Sequence, residues 1–210
     1  MPEVGSIDEA GSMPEGAPTP KMTGIVLAAG AGRRLGRPKA DVLLGGRRLV
    51  DRAVATLLAG GCADVIAVLR PGQADAVGAR TIVNPDPDRG MGSSLRCALA
   101  EAERCDSDAC VVLLADLVGV RPDEVAAVIQ RHQAGASIVA VRRVLRRSHP
   151  VLVSRPWYPE FAAAAVGDQG GREFFRRHAA DTLCLDLEGE VTDLDTQMDL
   201  DRVEALLPPI

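Results

Sequence analysis

Gly24-Ile25-Val26-Leu27-Ala28-Ala29-Gly30-Ala31-Gly32-Arg33-Arg34-Leu35-Gly36-Arg37-Pro38-Lys39 is an apolar, strand-forming run that empties into a loop of glycines and cations. Gly30, Gly32 and Gly36 let the backbone turn sharply and bring its N–H groups against a ligand, while Arg33, Arg34, Arg37 and Lys39 concentrate positive charge beside them. That combination reads as a phosphate cradle with charge suited to a triphosphate. A P-loop is excluded, because Pro38 precedes Lys39 and Ala40 follows it, leaving no hydroxyl for a metal. The dinucleotide pattern G-x-G-x-x-G fails as well: Gly36 falls one residue late, and Pro38 interrupts any helix starting there. A solvated basic turn is the bland alternative. Of the 24 Lys plus Arg, only Lys21 and Lys39 are lysines, so an ammonium inside this loop departs from the chain's habit and suits a point contact to phosphate oxygens.

Further along, Ala109-Cys110-Val111-Val112-Leu113-Leu114-Ala115-Asp116 is a buried-strand run ending in one carboxylate. An acid at the carboxyl end of a parallel strand lies in the crevice where α/β folds bind ligands, which makes Asp116 the first candidate for Mg²⁺; a helix cap or turn aspartate is the competing reading. Thr192-Asp193-Leu194-Asp195 offers a second acidic group, whose alternation points Asp193 and Asp195 to one face. Thr196-Gln197-Met198-Asp199 fits a capping box that opens a last helix, and Asp195 could serve that turn instead. Asn84-Pro85-Asp86-Pro87-Asp88-Arg89-Gly90-Met91-Gly92-Ser93-Ser94-Leu95 is a glycine-bracketed loop feeding a helix, readable as a base-reading loop or simply as a loop with a serine cap at Ser93 or Ser94. Arg142-Arg143-Val144-Leu145-Arg146-Arg147 is a basic run between two strands, either a solvated turn or a positive lip over an acceptor site.

From Thr23 onward strand-type and helix-type runs alternate, the pattern of a doubly wound α/β domain with a mostly parallel sheet covered on both faces. Strands are expected at 24–29, 64–69, 81–84, 109–115, 137–141, 150–154 and 182–187. Helices are expected at 49–59, 93–104, 122–133, 158–166, 171–178 and 197–207, with Pro122 in a first turn. Residues 1–21 carry Gly, Pro, Ser and acids without an apolar period and read as a disordered tail, leaving 22–210 as a single domain.

Composition bounds the function. A length of 210 residues with 47% hydrophobic content suffices for one well-buried domain. At 2% aromatic the core must be Ala, Val, Leu and Ile, and a base-stacking surface for nucleic acid is not expected; the net charge of −5 agrees. Cys62, Cys97, Cys105, Cys110 and Cys184 show no metal-binding spacing, and Cys97, Cys110 and Cys184 lie in apolar runs that read as core. An odd cysteine count without a signal sequence favours reduced thiols in a cytoplasmic protein, and no run is long enough for a membrane span.

Taken together, Leu27-Ala28-Ala29-Gly30, Arg34-Leu35-Gly36 and Pro38-Lys39 resemble the signature loop of the MobA/MocA-like nucleotidyltransferases, L-A-A-G-x-x-x-R-(M)-G-x-P-K, with Leu35 in the methionine position. The resemblance is strongest to the molybdenum cofactor cytidylyltransferases, since the guanylyltransferase branch usually has a second glycine where this chain has Ala29. Further segments match in family order: Asn84–Leu95 with Pro87 replacing a tryptophan, Asp116 followed by Leu117-Val118 instead of Gln or Met and then Pro, His149-Pro150-Val151-Leu152, Gly167-Asp168-Gln169-Gly170-Gly171-Arg172, and Asp193–Asp199 with Gln197 replacing a proline.

The resemblance implies a nucleotide-diphospho-sugar-transferase-like, Rossmann-like fold and transfer of CMP from CTP to the phosphate of molybdopterin, with release of pyrophosphate. It implies catalytic roles for Lys39, Arg34 and Asp116, and nucleotide binding by Leu27, Ala28, Ala29, Gly30, Gly32, Arg34, Lys39, Asn84, Gly90, Ser93 and Ser94. Mg²⁺ would be held by Asp116 and Asp195 with Asp193 in support, and the acceptor by His149, Pro150, Asp168, Gly170 and Arg172. A recipient molybdoenzyme or its chaperone is the implied protein partner. GTP or a sugar phosphate as substrate, a nicotinamide oxidoreductase, and a non-catalytic molybdenum cofactor carrier are the rival functions.

Overall fold

The computed structural model describes residues 20–144 and 146–206. The expected tail lies outside the described residues up to position 19, as do residue 145 of the basic run and residue 207 of the last expected helix. Lys21, assigned by sequence to the tail, is tied down by an ion pair to Asp64 at 2.9 Å and by its backbone N–H donating to Asp108 at 2.7 Å.

In chain order the strands are β1 (Met22–Leu27), β2 (Leu43–Leu44), β3 (Arg47–Arg48), β4 (Asp64–Leu69), β5 (Arg80–Val83), β6 (Ala109–Leu114), β7 (Leu117–Val118), β8 (Ile138–Arg143), β9 (Arg146–Ser154), β10 (Thr182–Asp186) and β11 (Thr192–Asp193). The helices are α1 (Leu49–Ala59), α2 (Met91–Arg104), α3 (Pro122–Gln133), α4 (Tyr158–Ala164), α5 (Arg172–Arg177) and α6 (Gln197–Glu204). Seven strands form one sheet in the order β10-β8-β9-β6-β1-β4-β5. β1 pairs in parallel with β4 and β6, β4 with β5, and β8 with β10, while β9 runs antiparallel between β6 and β8. The sheet is therefore mixed and mostly parallel, as the alternation of runs predicts.

Burial on both faces explains why β1 reads as a continuous apolar run. Val26 and Ala28 join the layer built by Val50, Val54 and Leu57 of α1 and Val125 and Val128 of α3. Ile25 and Leu27, one residue out of phase, join the layer of Leu95, Ala98 and Leu99 of α2. Every aromatic of the chain, Trp157, Tyr158, Phe161, Phe174 and Phe175, packs in this second layer, in and around α4 and α5. Among the described residues no helix is long and apolar enough to cross a membrane.

Three expectations shift. Helix α2 starts at Met91 with Gly90 as its N-cap; Ser93, expected to cap it, instead donates its hydroxyl to the carbonyls of Gly90 (2.8 Å) and Asp86 (3.2 Å). Cys184, expected in the core, is exposed because β10 is the edge strand of the sheet. The basic run is the corner of the β8–β9 hairpin, and two of its four arginines are consumed structurally: Arg142 pairs with Asp186, and Arg143 donates to Glu124 Oε2 at 2.7 Å and to the Glu188 carbonyl at 3.0 Å. It is not a uniform lip. Arg143 and Glu124 are both buried, so each is the other's main compensation for lost hydration. Arg143→Leu should therefore destabilise the protein by about 3–5 kcal/mol in urea unfolding, and Arg143→Leu/Glu124→Leu should recover most of that loss.

Candidate active site

Strand order positions the site. From β1 the chain winds outward to β4 and β5, then returns to β6 on the other side of β1, so the carboxyl ends of β1 and β6 flank the reversal, where crossover connections part and leave a crevice. The glycine loop leaves β1 there and Asp116 leaves β6 there. The loop is drawn closed by the Lys39 N–H donating to the Gly30 carbonyl at 3.2 Å and the Leu35 N–H donating to Gly32 at 2.9 Å. Gly32 has φ +59°, and a Cβ on it would lie 1.9 Å from the Arg37 carbonyl oxygen, so this turn admits glycine only.

Above the loop opens a cavity of about 520 Å³ lined by residues 27–33, Lys39, Arg70, Pro87, Asp88, Gly90, Met91, Ser94, 114–116 and Asp168. Its cations are Arg33, Lys39 and Arg70, and the N-terminus of α2 opens onto it, adding the positive end of a helix dipole. Arg70 holds the wall together, donating to the Ala29 carbonyl and to Asp88, both at 3.0 Å.

Asp116 and Asp195 reach each other because β11 pairs antiparallel with β7, setting Asp193 opposite Leu117, and because the Leu194 N–H donates to the Asp116 carbonyl at 2.9 Å. The capping box at α6 is present: Asp199 accepts from the Thr196 N–H at 2.8 Å and the Asp195 N–H at 3.2 Å. Asp199 serves the turn, and the Asp195 side chain is left for the site. Lys39 Nζ donates to Asp116 Oδ2 at 2.5 Å and to Asp195 Oδ1. Burial works against the Lys39 ammonium, but the hydrogen bonds to the two carboxylates outweigh it and raise its pKa. Asp193 is raised by burial and then by the charges of Asp116 and Asp195.

A second cavity of about 650 Å³ shares Leu27, Met91, Leu114, Asp116 and Asp168 with the first. Because β9 is antiparallel, its first residues lie beside the carboxyl end of β6, and Arg147, Ser148 and His149 join the wall with Phe175, Arg172, Arg176, Asp193 and Asp195. The Arg147 guanidinium lies 5.0 Å from the Phe175 ring centroid, a cation–π contact that fixes it at the wall. Burial lowers the His149 pKa to about 4, with Asp116 opposing and Arg172 assisting, so the imidazole is neutral at neutral pH.

Most of the residues singled out in sequence converge here: Leu27, Ala28, Ala29, Gly30, Gly32, Lys39, Gly90, Ser94 and Asp116 on the first cavity, and His149, Asp168, Arg172, Asp193 and Asp195 on the second. Four others stand behind the walls. Asn84 is buried, donating its amide to the hydroxyls of Ser93 (2.8 Å) and Ser94 (3.0 Å), so Asn84 and Ser93 shape the loop from within. Pro150 is buried in β9 after a cis peptide bond, and Gly170 packs on Met91. Arg34 is exposed, 3.8 Å from Asp195; Arg33, its neighbour, lines the first cavity instead. Sequence reading passed over Arg70, Asp88 and Phe175. A cation directly after the β4 run was a usable signal for Arg70, whereas nothing local marks Phe175.

Among the described residues no three His, Cys, Asp or Glu side chains gather as a metal cluster. The donor set still fits a hard divalent ion of the Mg²⁺ type, which keeps several waters and takes one or two carboxylates together with substrate phosphates. The Lys39 ammonium, held between Asp116 and Asp195, already marks the position as one for a cation.

Since the unfolded chain protonates His149 near its ordinary value of 6.5 and the folded chain only near 4, the folded state loses relative stability as pH falls through that window. Wild type should lose about 1–3 kcal/mol more than His149→Gln on going from pH 6.5 to pH 4, read by urea unfolding across the range. Parallel pH curves for the two proteins would refute the enclosed, neutral imidazole.

The profile of the family described as MobA-like NTP transferase domain matches residues 24–182. Nicotine blue oxidoreductase of Paenarthrobacter nicotinovorans is 38% identical over 193 residues, covering 84% of this chain and 93% of its own length. Purine catabolism protein PucB of Bacillus subtilis is 25% identical over 201 residues, covering 88% and 97%. Among solved structures, Rv0371c of Mycobacterium tuberculosis superimposes with a TM-score of 0.78 at 26% identity over 90% of this chain and 100% of its own, and that protein has also been solved in complex with manganese. With the family profile spanning the glycine loop, Asp116 and the part of the second cavity's wall between Arg147 and Arg176, this chain belongs to the MobA-like NTP transferase family and is a nucleotidyltransferase.

Proposed function

We propose that this chain transfers CMP from CTP to the phosphate of molybdopterin, releasing pyrophosphate. The observation that carries the reading is the pair of cavities meeting at Asp116, one cationic and glycine-walled, the other holding Arg147, Arg172 and Arg176 for an anionic acceptor. Glycine-loop N–H groups, Arg33 and Lys39 hold the triphosphate and neutralise charge developing on the departing pyrophosphate. Arg172 and Arg147 orient the acceptor phosphate toward the α-phosphorus, and neutral His149 offers a hydrogen bond without adding charge. No protein nucleophile is required, since phosphoryl transfer depends mainly on positioning and charge stabilisation. Asp116 and Asp195 would hold Mg²⁺, which when bound supplies charge stabilisation at the reacting phosphates. The mycobacterial relative has been solved in complex with manganese, which supports a divalent ion as cofactor. Ala28-Ala29, with alanine where the guanylyl branch has glycine, supports CTP.

A second reading is favoured by one observation, the 38% identity to a protein named as an oxidoreductase: the same cavity would then take a redox dinucleotide. Incubation of the protein with each NTP, Mg²⁺ and molybdopterin, followed by mass analysis, should yield cytidylylated product. NADH and NADPH oxidation assayed in parallel should stay at background; nicotinamide turnover without nucleotide transfer would replace the first reading with the second. Molybdopterin binding with neither reaction would make the protein a carrier.

Two further outcomes follow from the site. CTP with Mg²⁺ should raise the melting temperature more than GTP does, because only ligands of the native state shift it. Lys39→Ala should lower turnover roughly a hundredfold or more, the scale of losing one oxyanion-type donor, and a loss of only a few-fold would remove Lys39 from the chemistry.

A further inference from the structure

Lys39 is assigned to phosphate by the reading above, yet in this structure its ammonium is spent elsewhere. Two of its three N–H donors go to Asp116 Oδ2 and Asp195 Oδ1, and its side chain is only 18% exposed, so water screens the contact little. Arg34 adds a weaker attraction at 3.8 Å to the other oxygen of Asp195. These are the same two carboxylates that fit a divalent ion. An ammonium between them and a divalent cation bound by them compete, because the ammonium takes one oxygen of each carboxylate, halves the pair's negative charge and would lie a few ångströms from the second cation. Among the described residues no alternative cluster of three metal-ligating side chains exists for the ion to use instead.

We propose that Lys39 is the resident counter-ion of the Asp116–Asp195 pair and holds divalent metal off the protein until a nucleotide triphosphate enters. The proposal rests on these two acids being the metal ligands. A triphosphate seated in the glycine loop offers the ammonium a richer set of anionic oxygens, and the flexible four-carbon stem swings to them while its backbone stays fixed by the N–H bond to Gly30. On the Gly30 side the stem is uncrowded, since even a Cβ there would stand 3.6 Å from Lys39 Cδ. Its departure unmasks both carboxylates at the moment a metal is needed, so nucleotide precedes or accompanies metal and the free protein stays metal-poor. One residue then has opposite effects on two ligands: removing Lys39 weakens triphosphate binding and strengthens metal binding.

That opposition is the test. Mn²⁺ binding to the full chain without nucleotide, measured from the EPR signal of free Mn²⁺, should be at least about tenfold tighter for Lys39→Met than for wild type, the consequence of deleting a positive charge in contact with both ligands. Lys39→Met/Asp195→Asn should lose the gain. A Lys39→Met protein with wild-type circular dichroism whose Mn²⁺ affinity equals or falls below wild type overturns the proposal. A second measurement needs no variant: with only Lys21 and Lys39 in the chain, lysine-specific ¹⁵N labelling resolves the Lys39 ammonium by NMR. Millimolar Mg²⁺ alone should leave that signal in place and CTP with Mg²⁺ should move it; displacement by submillimolar Mg²⁺ alone overturns the proposal. Should the Mn²⁺ gain appear in a protein that transfers no nucleotide, the exchange stands and the transferase substrate assignment falls.

Discussion

The parallel pairing of β1 with β6 is the constraint on which the site depends. It brings Leu27 level with Leu114, so the two loops that follow, one of glycines and one ending in Asp116, leave the sheet side by side. Both strands are buried on both faces, which fixes their register through apolar packing and makes a slip costly. The catalytic geometry is thus set by hydrophobic burial below the crevice, while the groups in the crevice are free to be polar. Backbone bonds extend the pairings of β1 past the strand ends: the Ala115 N–H donates to Leu27 on the β6 side, and the Ala28 N–H to Val68 on the β4 side.

A smaller device completes the acidic pair. The two-residue ribbon of β7 and β11 delivers Asp195 to Asp116 from the far end of the chain, and a minor core of Val42, Leu44, Leu49, Leu194 and Leu200, with Val118 packed against it, anchors the ribbon from below. Leu117 and Val118 stand where the family pattern has Gln or Met and then proline. Their apolar side chains and free backbone groups suit them to this ribbon, and Leu117 still faces the second cavity. The departure from the pattern is absorbed by packing while the carboxylate that precedes it keeps its place.

Charge is partitioned along the crevice. The basic run at the β8–β9 corner spends Arg142 and Arg143 on Asp186 and Glu124, fastening the hairpin to the edge strand and to α3, and leaves Arg147 to the wall of the second cavity. Arg70 plays the equivalent part on the other side, joining the glycine loop to Asp88. Gly90 lets the loop around Asp168 dock directly on the start of α2, since a Cβ there would lie 2.5 Å from Asp168 Oδ1. Asp168 can therefore border both cavities, linking the first to the second through a single close contact.

The sequence by itself determined what is encoded locally. The alternation of apolar runs specified a mostly parallel α/β sheet, glycine spacing specified the tight loop after β1, the chain-end pattern Thr196–Asp199 specified a capping box, and the strand-final position of Asp116 marked it as a crevice acid. Tertiary structure decided what depends on partners distant in the chain. Arg142 and Arg143 look like free cations until Asp186 and Glu124 are brought beside them; Asn84 and Ser93 look like ligand groups until each is found bonded to the other's loop; Phe175 is an ordinary helix aromatic until Arg147 lies over it. The same limit hid the role of Lys39 in the free protein. Its spacing marks it for phosphate, but only the fold sets Asp116 and Asp195 on either side of it, because a charged group's state follows from the charges and water around it in space rather than from its neighbours in sequence.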